Sequence, residues 1–448
     1  MIRLWLLGGI LVVSMIAALQ ALVAGKLAVD WIVAKNWFVV IAGLGAAVYL
    51  LAVLTVLHRA GPRHGVWVVL LVAAALRLPL IVAPPYLSTD IYRYVWDGRV
   101  QAAGINPYRY LPADPALAPL RDDQVYPYIA RAEYARTIYP PAAQLVFAAT
   151  GFVWSGVTGV KATMVGFEVL AVVCLLRLLA AARLPAERVL IYAWNPLPVW
   201  AFAGSGHVDA IAIGLLACAL LLRVRRRDGW AGAALGLAIA TKFLPAVVGP
   251  ALWRPRGGWR TAAAAVATIA VAYALYSSVG ARVFGFLGGY GSEEGYDSGE
   301  GFWLLAGLAR LAAMPAWAAI AYEAAAVGIL AAAAAWFAFR RPTPGCRTCP
   351  AGPDDPVAIC HAAGILMALL MFAVSPHYPW YFAWLALPCV LAPTPAVLWM
   401  ATAPILLYLD TFGDRFVWPS VVYVPAIALA CVGLLRASPT AEPVKEVH

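Results

Sequence analysis

Asp90 opens a segment whose residue types and spacing can support acid–base chemistry. A helix that begins at Asp90 places Arg93, Tyr94 and Asp97 at positions i+3, i+4 and i+7, and therefore on one face. Arg93 can pair with Asp97 at i+4. This pairing leaves the Asp90 carboxylate free near the helix N-terminus, where it can act as a general base.

The position of Asp90 favours this role. Ser88 or Thr89 can cap the start of the helix, and the glycines that follow it end it. Because a predicted membrane span at 66–82 ends shortly before Asp90, we expect the carboxylate at or just inside the membrane interface. Partial desolvation there raises the pKa of a carboxyl group toward working pH, as a general base requires.

The alternative is that Asp90 only caps a surface helix. Aromatic and basic neighbours favour a binding site instead: Tyr92, Tyr94, Trp96, Arg99, Tyr108, Arg109 and Tyr110. Clusters of Tyr and Trp bind the faces of sugars, but they also form interfacial belts in membrane proteins. We predict that Asp90 is catalytic and that Tyr94, Asp97 and Arg99 support it.

Two further segments carry polar residues where apolar stretches meet. His207 and Asp209 lie in GSGHVDA, between two predicted spans, and ionisable groups at such boundaries are usually functional. His377, Tyr378 and Tyr381 lie in SPHYPWYFAW, after another span. These side chains can contact a phosphate or a sugar, although an aromatic belt with one incidental histidine fits the second segment equally well.

Lys242 is the clearest cation predicted at membrane depth. An unpaired lysine there is unfavourable, so a bound anion such as a phosphate accounts for it better than tolerance does. The alternative is that Lys242 pairs with Asp209 or Glu168.

The composition excludes a soluble protein. The chain has 448 residues, of which 64% are hydrophobic and 12% charged, with a mean hydropathy of +0.81. Soluble domains are near half apolar and a quarter charged. The formal net charge of +10 does not indicate nucleic-acid binding, because the positive residues form short clusters between apolar runs, as in the cytoplasmic loops of a polytopic membrane protein.

Apolar runs near the ~20 residues needed to cross a bilayer recur along the chain. The predicted spans are 4–23, 37–57, 66–82, 162–181, 188–204, 207–222, 260–280, 316–338, 357–375, 380–393, 395–410 and 420–436. If the arginine clusters between them are cytoplasmic, both termini are cytoplasmic as well. The segments then predicted outside are 83–161, 204–207, 281–315, 375–380 and 410–419.

Two segments do not fit a simple alternation of crossings. Residues 140–155 are short, and we predict a half-buried helix that returns to the outer side. Residues 230–252 lie between two basic loops, and two half-helices that meet near Lys242 would keep both loops inside. A single ordinary crossing with one loop on the unexpected side is the alternative.

The predicted organisation has five parts. They are an N-terminal transmembrane hairpin (1–65), a catalytic module (66–280) that includes the outer segment 83–161, an outer lid-like loop (281–315), a C-terminal transmembrane module (316–436) and a cytoplasmic tail (437–448).

Two motifs do not indicate a binding site. The pair Cys346 and Cys349 is an isolated CxxC motif with little to complete a zinc site. The glycine-rich residues 288–301 follow no strand, which argues against a nucleotide-binding loop.

Four segments in the same order resemble GT-C glycosyltransferases. They are STDIYRYVWDGRVQAAGINPYRYLP followed by IYPPAAQLVF, then NPLPVWAFAGSGHVDAIAIGLL, ATKFLP and SPHYPWYFAW. The resemblance covers most of residues 66–393 and is greatest to polyprenol-phosphate-mannose-dependent α-mannosyltransferases and related multi-pass hexosyltransferases. With the predicted spans, it implies an all-α polytopic membrane protein with about twelve transmembrane helices, a re-entrant hairpin and a large first outer loop with juxtamembrane helices.

The resemblance also implies a reaction. It implies inverting transfer of a single sugar, mannose or another hexose, from a polyprenyl-phosphate donor to a lipid or glycan acceptor, on the outer face of the plasma or inner membrane. The family's acidic base corresponds to Asp90, and its basic donor-phosphate contacts correspond to Arg93, Lys242 and His377. Its lipid-phosphate users mostly need no metal, so we expect no metal and no cofactor. The expected partners are the donor, the acceptor and membrane lipids, without nucleic acid.

Two other functions stay open at this point. Broken helices and a buried lysine are also features of transporters and lipid flippases. A ligase of the O-antigen type would also use a large outer loop with Arg and His, but it takes a diphosphate-linked glycan.

Overall fold

The computed structural model describes residues 1–27, 31–58, 65–255, 257–339, 354–409 and 413–437. Outside these ranges lie the pair Cys346 and Cys349, residues 438–448 of the tail, and six arginines that belong to the clusters between the predicted spans: Arg59, Arg63, Arg256, Arg340, Arg341 and Arg347.

The described residues form helices and contain no β-strand. The α-helices of seven or more residues are α1 (Ile2–Leu27), α2 (Trp31–His58), α3 (Gly65–Val82), α4 (Asp90–Ala102), α5 (Pro141–Val153), α6 (Val157–Ala181), α7 (Asp209–Val224), α8 (Asp228–Ile239), α9 (Gly258–Ala274), α10 (Leu287–Glu293), α11 (Trp303–Ala309), α12 (Ala318–Phe339), α13 (Pro356–Val374) and α14 (Val417–Ala437). Shorter α-helical turns are Leu190–Ala193, Pro196–Pro198, Ala386–Cys389 and Pro395–Met400, and Val199–Gly204 is a π-helix. The 3₁₀-helices are Pro115–Leu120, Tyr126–Tyr128, Ala186–Val189, Leu244–Leu252, Ser277–Phe284, Pro379–Leu385 and Ala403–Leu409.

Seven of the described helices are long and apolar enough to cross a membrane: α1, α2, α3, α6, α12, α13 and α14. An eighth crossing is possible where α9 is followed, after a bend of 111°, by residues Ser277–Glu293. These helices confirm the prediction of an all-α polytopic membrane protein.

Five of the twelve predicted spans are not continuous long helices. The 188–204 and 380–393 spans consist of short α, 3₁₀ and π turns, the 395–410 span is interrupted, α7 in the 207–222 span has 16 residues, and in the 260–280 span α9 ends at Ala274. The interruptions at 188–204, 380–393 and 395–410 follow from proline, which lacks a backbone N–H and disfavours the helical conformation of the residue before it. At 188–204 the chain turns at Asn195, whose side chain accepts a hydrogen bond from Leu197 N at 2.9 Å.

The long loop (residues 83–161) contains the helix pair α4 and α5. The α4 helix starts at Asp90, as the sequence predicts, and packs closely against α5. A Cβ atom at Gly98 would lie 2.4 Å from the carbonyl oxygen of Phe147, and one at Gly151 would lie 2.5 Å from that of Gly98. The absence of side chains at these two positions therefore allows the backbones to touch, which fixes the position of α4 and of the residue that begins it.

Residues 230–252 form two helical segments that meet near Lys242, as predicted. The α8 helix ends at Ile239, and a 3₁₀-helix covers Leu244–Leu252. The glycines of α8 pack against α9: a Cβ at Gly232 would lie 2.1 Å from the carbonyl oxygen of Thr261. This close packing holds the break at a fixed place beside α7.

The two ends of α7 carry different chemistry. Asp209 is its first residue, and Arg223 lies near its last turn, about 21 Å away along the axis at 1.5 Å per residue. Arg223 pairs with Asp354 at 2.7 Å, and Asp354 also contacts Arg226 at 2.9 Å and Arg254 at 3.3 Å. Arg223, Arg226 and Arg254 are therefore gathered around Asp354 at the end of α7 opposite Asp209.

Candidate functional site

A cavity of about 470 Å³ lies where the start of α4, the start of α7 and the break at Lys242 converge. Its walls also include residues of the long loop near 130–140, the α10 helix and the aromatic segment 378–381. Six parts of the chain that are far apart in sequence thus surround one space. We call it the main cavity.

Asp90 lies in the wall of the main cavity. Its backbone N–H donates a 3.3 Å hydrogen bond to Ser88 Oγ, and its side chain is 35% exposed within the cavity. Burial raises the pKa of Asp90 to about 6; Lys242 and Arg131 oppose this effect, and Asp209 adds to it. The Asp90 carboxyl group can therefore hold or release a proton close to neutral pH.

His207 lies beside Asp90. Its Nδ1 is 3.6 Å from Asp90 Oδ2, and its ring stacks on Trp380 with centroids 4.0 Å apart. Within the described part of the chain, the buried Nε2 atom has no hydrogen-bond partner. Gly206 sets this position: its φ is +71°, and a Cβ there would lie 2.3 Å from the side chain of Ile91 on α4.

Asp209 forms the second acidic position of the main cavity. Its Oδ1 accepts hydrogen bonds from Lys242 Nζ and from Trp384 Nε1, each at 2.7 Å. Its Oδ2 is buried and has no partner among the described residues. Buried polar atoms of native proteins nearly always have partners, so an unpaired oxygen in a cavity wall is a feature of a binding site.

The contact with Asp209 corrects the expectation that Lys242 has no acidic partner. Of the two alternatives raised by the sequence, Asp209 is the partner, and Glu168 pairs instead with Arg77 at 2.6 Å. Lys242 nevertheless lines the main cavity: its side chain is 18% exposed and lies 4.0 Å from the centroid of the Tyr381 ring. An ammonium group has three donors, so Lys242 can bind an anion while it holds Asp209.

Arg93 and Asp97 form the predicted i+4 pair, with Arg93 Nε 3.0 Å from Asp97 Oδ1. The second oxygen of Asp97 accepts hydrogen bonds from Thr137 Oγ1 at 2.5 Å and Gln144 Nε2 at 2.8 Å. Arg93 also donates to the carbonyl oxygen of Ala135 at 3.2 Å. Arg93 is thus buried in a network that joins α4 to the long loop, and it lies outside the wall of the main cavity, so its predicted contact with the donor phosphate stays a prediction.

The two predicted supporting residues occupy different places. Tyr94 lines the main cavity and stacks on Phe147 of α5, with centroids 4.7 Å apart. Arg99 lies away from the main cavity, where it pairs with Asp122 at 2.7 Å and donates to the carbonyl oxygen of Leu120. Arg99 therefore stabilises the fold of the long loop and does not contact the main cavity.

The residues of the 377–381 segment line two adjoining cavities. Tyr378 and Tyr381 line the main cavity and also an adjoining cavity of about 150 Å³. His377 lines only the smaller of the two, where its Nδ1 lies 3.3 Å from Glu294 and contacts Arg415. His377 is therefore a neighbour of the main cavity rather than part of its wall.

More than half of the chain matches a known family of glycosyltransferases. The model of the alpha-(1->6)-mannopyranosyltransferase family, N-terminal domain, matches residues 3–254, which is more than half of the chain. The chain belongs to this family. A second model, glycosyltransferase family 87, matches residues 137–376. No curated protein and no solved structure matches this glycosyltransferase.

The matched regions include most of the main cavity. Asp90 lies in the mannopyranosyltransferase match, and His207, Asp209 and Lys242 lie in both matches. In the described residues of this glycosyltransferase, no group of three or more His, Cys, Asp and Glu side chains is placed to hold a metal ion.

Two site residues of this glycosyltransferase were not identified from the sequence. Arg131 lines the main cavity and pairs with Glu293 of α10 at 2.6 Å. Tyr290 of α10 also lines the cavity, and its hydroxyl group is hydrogen-bonded to that of Tyr381, with 3.1 Å between the two oxygens. Arg131 is one of several arginines of the long loop, and only the tertiary structure distinguishes it. The glycine-rich sequence around Tyr290 did indicate a lid-like segment, which was the available signal.

Lys161 is a third residue that the sequence did not single out. It is fully buried in α6 and donates to the carbonyl oxygens of Leu80 and Ala83, at 3.0 and 2.6 Å. These carbonyls belong to the end of α3, whose last turn leaves backbone acceptors without helical partners. Lys161 thus fixes the point from which the chain runs to Asp90.

Proposed function

We propose that this glycosyltransferase transfers one hexose, mannose, from a polyprenyl-phosphate donor to a hydroxyl group of a lipid or glycan acceptor, with inversion. The observation that carries the proposal is the main cavity, in which the Asp90 carboxylate, with its pKa raised to about 6, faces the cations Lys242 and Arg131. A base and nearby cations are what this displacement requires.

In the proposed step, Asp90 accepts the proton of the acceptor hydroxyl group. The acceptor oxygen attacks C1 of the sugar while the bond between C1 and the phosphate oxygen breaks, so the electron pair leaves with the polyprenyl phosphate. Lys242 and Arg131 stabilise the negative charge of the departing phosphate. His207 and the free oxygen of Asp209 bind sugar hydroxyls, and the rings of Tyr378 and Tyr381 contact its faces.

Several features support a lipid-phosphate donor over a nucleotide sugar. Such a donor carries its leaving group with it, so one carboxylate and a few cations suffice. The described residues are helical and include no strand-built domain for a nucleotide. The described fold also has seven helices long and apolar enough to cross a membrane, which is the environment in which a polyprenyl chain is soluble.

We propose that the main cavity is on the outer face of the cell membrane. The support is the separation along α7 between Asp209, at the cavity, and the arginines around Asp354, about 21 Å away. Arginines concentrate on the cytoplasmic side of membrane proteins. The test places single cysteines at two exposed positions of a cysteine-free protein and uses a thiol reagent that does not cross the membrane. Glu133→Cys should react in intact cells, and Arg225→Cys should react only after permeabilisation. The reverse pattern contradicts the proposal.

The test of the reaction uses purified full-length protein. It is incubated with a panel of polyprenyl-phosphate hexoses and a lipid extract, and the products are identified by mass spectrometry. We expect consumption of polyprenyl-phosphate mannose and a product heavier by one hexose, which Asp90→Asn abolishes. Consumption of a nucleotide sugar, or of a diphosphate-linked glycan as an O-antigen-type ligase would require, contradicts the donor. Substrate counterflow in vesicles without product formation would indicate a transporter or flippase.

A further inference from the structure

Arg131 occupies an unusual position in the long loop. Its backbone φ is +61°, a left-handed conformation that is uncommon for residues other than glycine. This conformation directs the side chain along the wall of the main cavity, where it is 33% exposed. Arg131 also lies close enough to Asp90 to lower the pKa of that carboxyl group.

The two cations that line the main cavity, among the described residues, differ in how firmly they are held. Lys242 is bonded to Asp209, a carboxylate that is 1% exposed and also held by Trp384. Arg131 is bonded through Nε to Glu293, whose side chain is 30% exposed. Ion pairs with this exposure contribute little, since water competes for both groups. Arg131 is therefore the cation that a ligand can take over most readily.

We propose that Arg131 binds the phosphate of the donor and exchanges Glu293 for it. The proposal rests on the donor class proposed above. A guanidinium group presents its N–H donors in a planar fork that matches two phosphate oxygens, whereas an ammonium group acts as a point charge. Arg131 and Lys242 then divide the recognition of the phosphate: Arg131 supplies geometry and Lys242 supplies charge.

The exchange couples donor binding to α10. Glu293 ends this helix and also accepts a 3.1 Å hydrogen bond from Tyr134, while Tyr290 of the same helix contacts Tyr381. When Arg131 turns to the phosphate, α10 loses its ion pair but keeps these two hydroxyl contacts. The donor therefore loosens the segment at the edge of the main cavity without detaching it, and the departure of polyprenyl phosphate restores the pair.

The test measures binding rather than turnover, so its result is independent of whether the transfer reaction is as proposed. Farnesyl phosphate and farnesol are titrated into the purified full-length protein. Arg131→Gln should weaken binding of farnesyl phosphate about 10- to 100-fold, the magnitude of a lost hydrogen bond to a charged group, and leave farnesol binding unchanged. Glu293→Gln should strengthen binding of farnesyl phosphate, because the competing carboxylate is gone.

Arg310→Gln is the matched control. Arg310 pairs with Asp414 at 2.6 Å, is 48% exposed, and lines neither the main cavity nor the adjoining one. Its loss should change neither affinity. Arg131→Lys should restore part of the affinity for farnesyl phosphate, since it keeps the charge and loses the fork.

Three results would overturn the inference. Arg131→Gln with unchanged affinity for farnesyl phosphate excludes the contact. Equal weakening of farnesol and farnesyl phosphate shows that Arg131 only maintains the fold. Weakening by Glu293→Gln as large as that by Arg131→Gln shows that the pair acts as a structural unit. If farnesyl phosphate binds as expected but no polyprenyl-phosphate sugar is consumed, the proposed reaction fails and the phosphate contact stands.

Discussion

Asp90 and Asp97 lie two turns apart on one face of α4, yet their surroundings differ sharply. Asp97 is 1% exposed, and its two oxygens accept hydrogen bonds from Arg93, Thr137 and Gln144. The carboxylate of Asp90 faces a cavity, and the Nδ1 atom of His207 lies 3.6 Å from its Oδ2. Asp97 is therefore fully supplied with hydrogen-bond donors, whereas the Asp90 side chain is 35% exposed in the cavity wall.

This difference separates a structural carboxylate from a reactive one. A buried charge with all its hydrogen bonds made is held in place and has no capacity left for a substrate. A carboxylate that is desolvated but not fully bonded has a raised pKa and can accept a proton in a reaction. The same helix therefore provides rigidity at Asp97 and chemistry at Asp90.

The largest effect is expected from Asp90→Asn. The amide keeps the shape of the side chain but removes the proton acceptor, so kcat should fall by about 10²- to 10⁴-fold while donor binding and thermal stability change little. Asp123→Asn, at an exposed position in the same loop, is the control and should keep normal turnover. Near-normal activity of Asp90→Asn would show that another residue is the base. If Asp97→Asn is then inactive, Asp97 is the base; if Asp97→Asn is also active, Asp209 and His207 are the next candidates.

Asp97→Ala should act on stability instead. It leaves Arg93 buried without its carboxylate, and the loss of one partner of a buried pair typically costs about 3–5 kcal/mol. The measurements are the yield and the melting temperature in detergent. Asp122→Ala, which breaks the more exposed pair with Arg99 and the hydrogen bonds from the backbone N–H groups of Gln124 and Val125, should cost less, about 1–2 kcal/mol. A stable Asp97→Ala protein without turnover would contradict the division of roles between the two carboxylates.

Lys242 combines the two roles that Asp90 and Asp97 divide: it lines the main cavity, and it is held by a buried partner, Asp209. Lys242→Ala should raise the KM for the donor by at least about tenfold and also lower stability, because Asp209 is left buried and unpaired. Lys242→Met combined with Asp209→Asn removes both charges and should recover stability but not donor binding. Recovery of donor binding as well would show that Lys242 is only the counter-ion of Asp209.

The smallest effect concerns pH. The base must be ionised, so kcat/KM should fall as the pH drops through about 6, where Asp90 takes up a proton. Arg131 lowers the pKa of Asp90, so Arg131→Gln should move this acidic limb to higher pH. The exposed variant Arg109→Gln should leave it in place. A limb that does not move in Arg131→Gln would show that a group other than Asp90 sets the profile.

Local features of the fold could be predicted from the sequence because they depend on neighbouring residues. The start of α4 follows from capping residues, the pair of Arg93 and Asp97 from i+4 spacing, and the break near Lys242 from the basic loops on either side of residues 230–252. The interruption near Asn195 was equally local, since two prolines follow that residue, but its apolar composition led to the prediction of a continuous span.

Pairings between distant residues could not be derived in this way. The sequence left Asp209 and Glu168 as equivalent partners of Lys242, and nothing local distinguishes them. Arg131 meets Glu293 across 162 residues, and this contact depends on where α10 packs. The surroundings of Arg93 could not be derived for the same reason: Thr137 and Gln144, which bond to its partner Asp97, lie on a part of the loop whose position only tertiary packing decides.

The contacts of Asp209 have a consequence for how the protein is made. Its carboxylate is held by Lys242, 33 residues later, and by Trp384, 175 residues later. During synthesis, Asp209 therefore enters the membrane well before its last partner leaves the ribosome. The wall of the main cavity is complete only when residues 378–381 are in place, so a nascent chain that stops before this segment carries a buried acid whose remaining partner is Lys242 and a cavity open on one side.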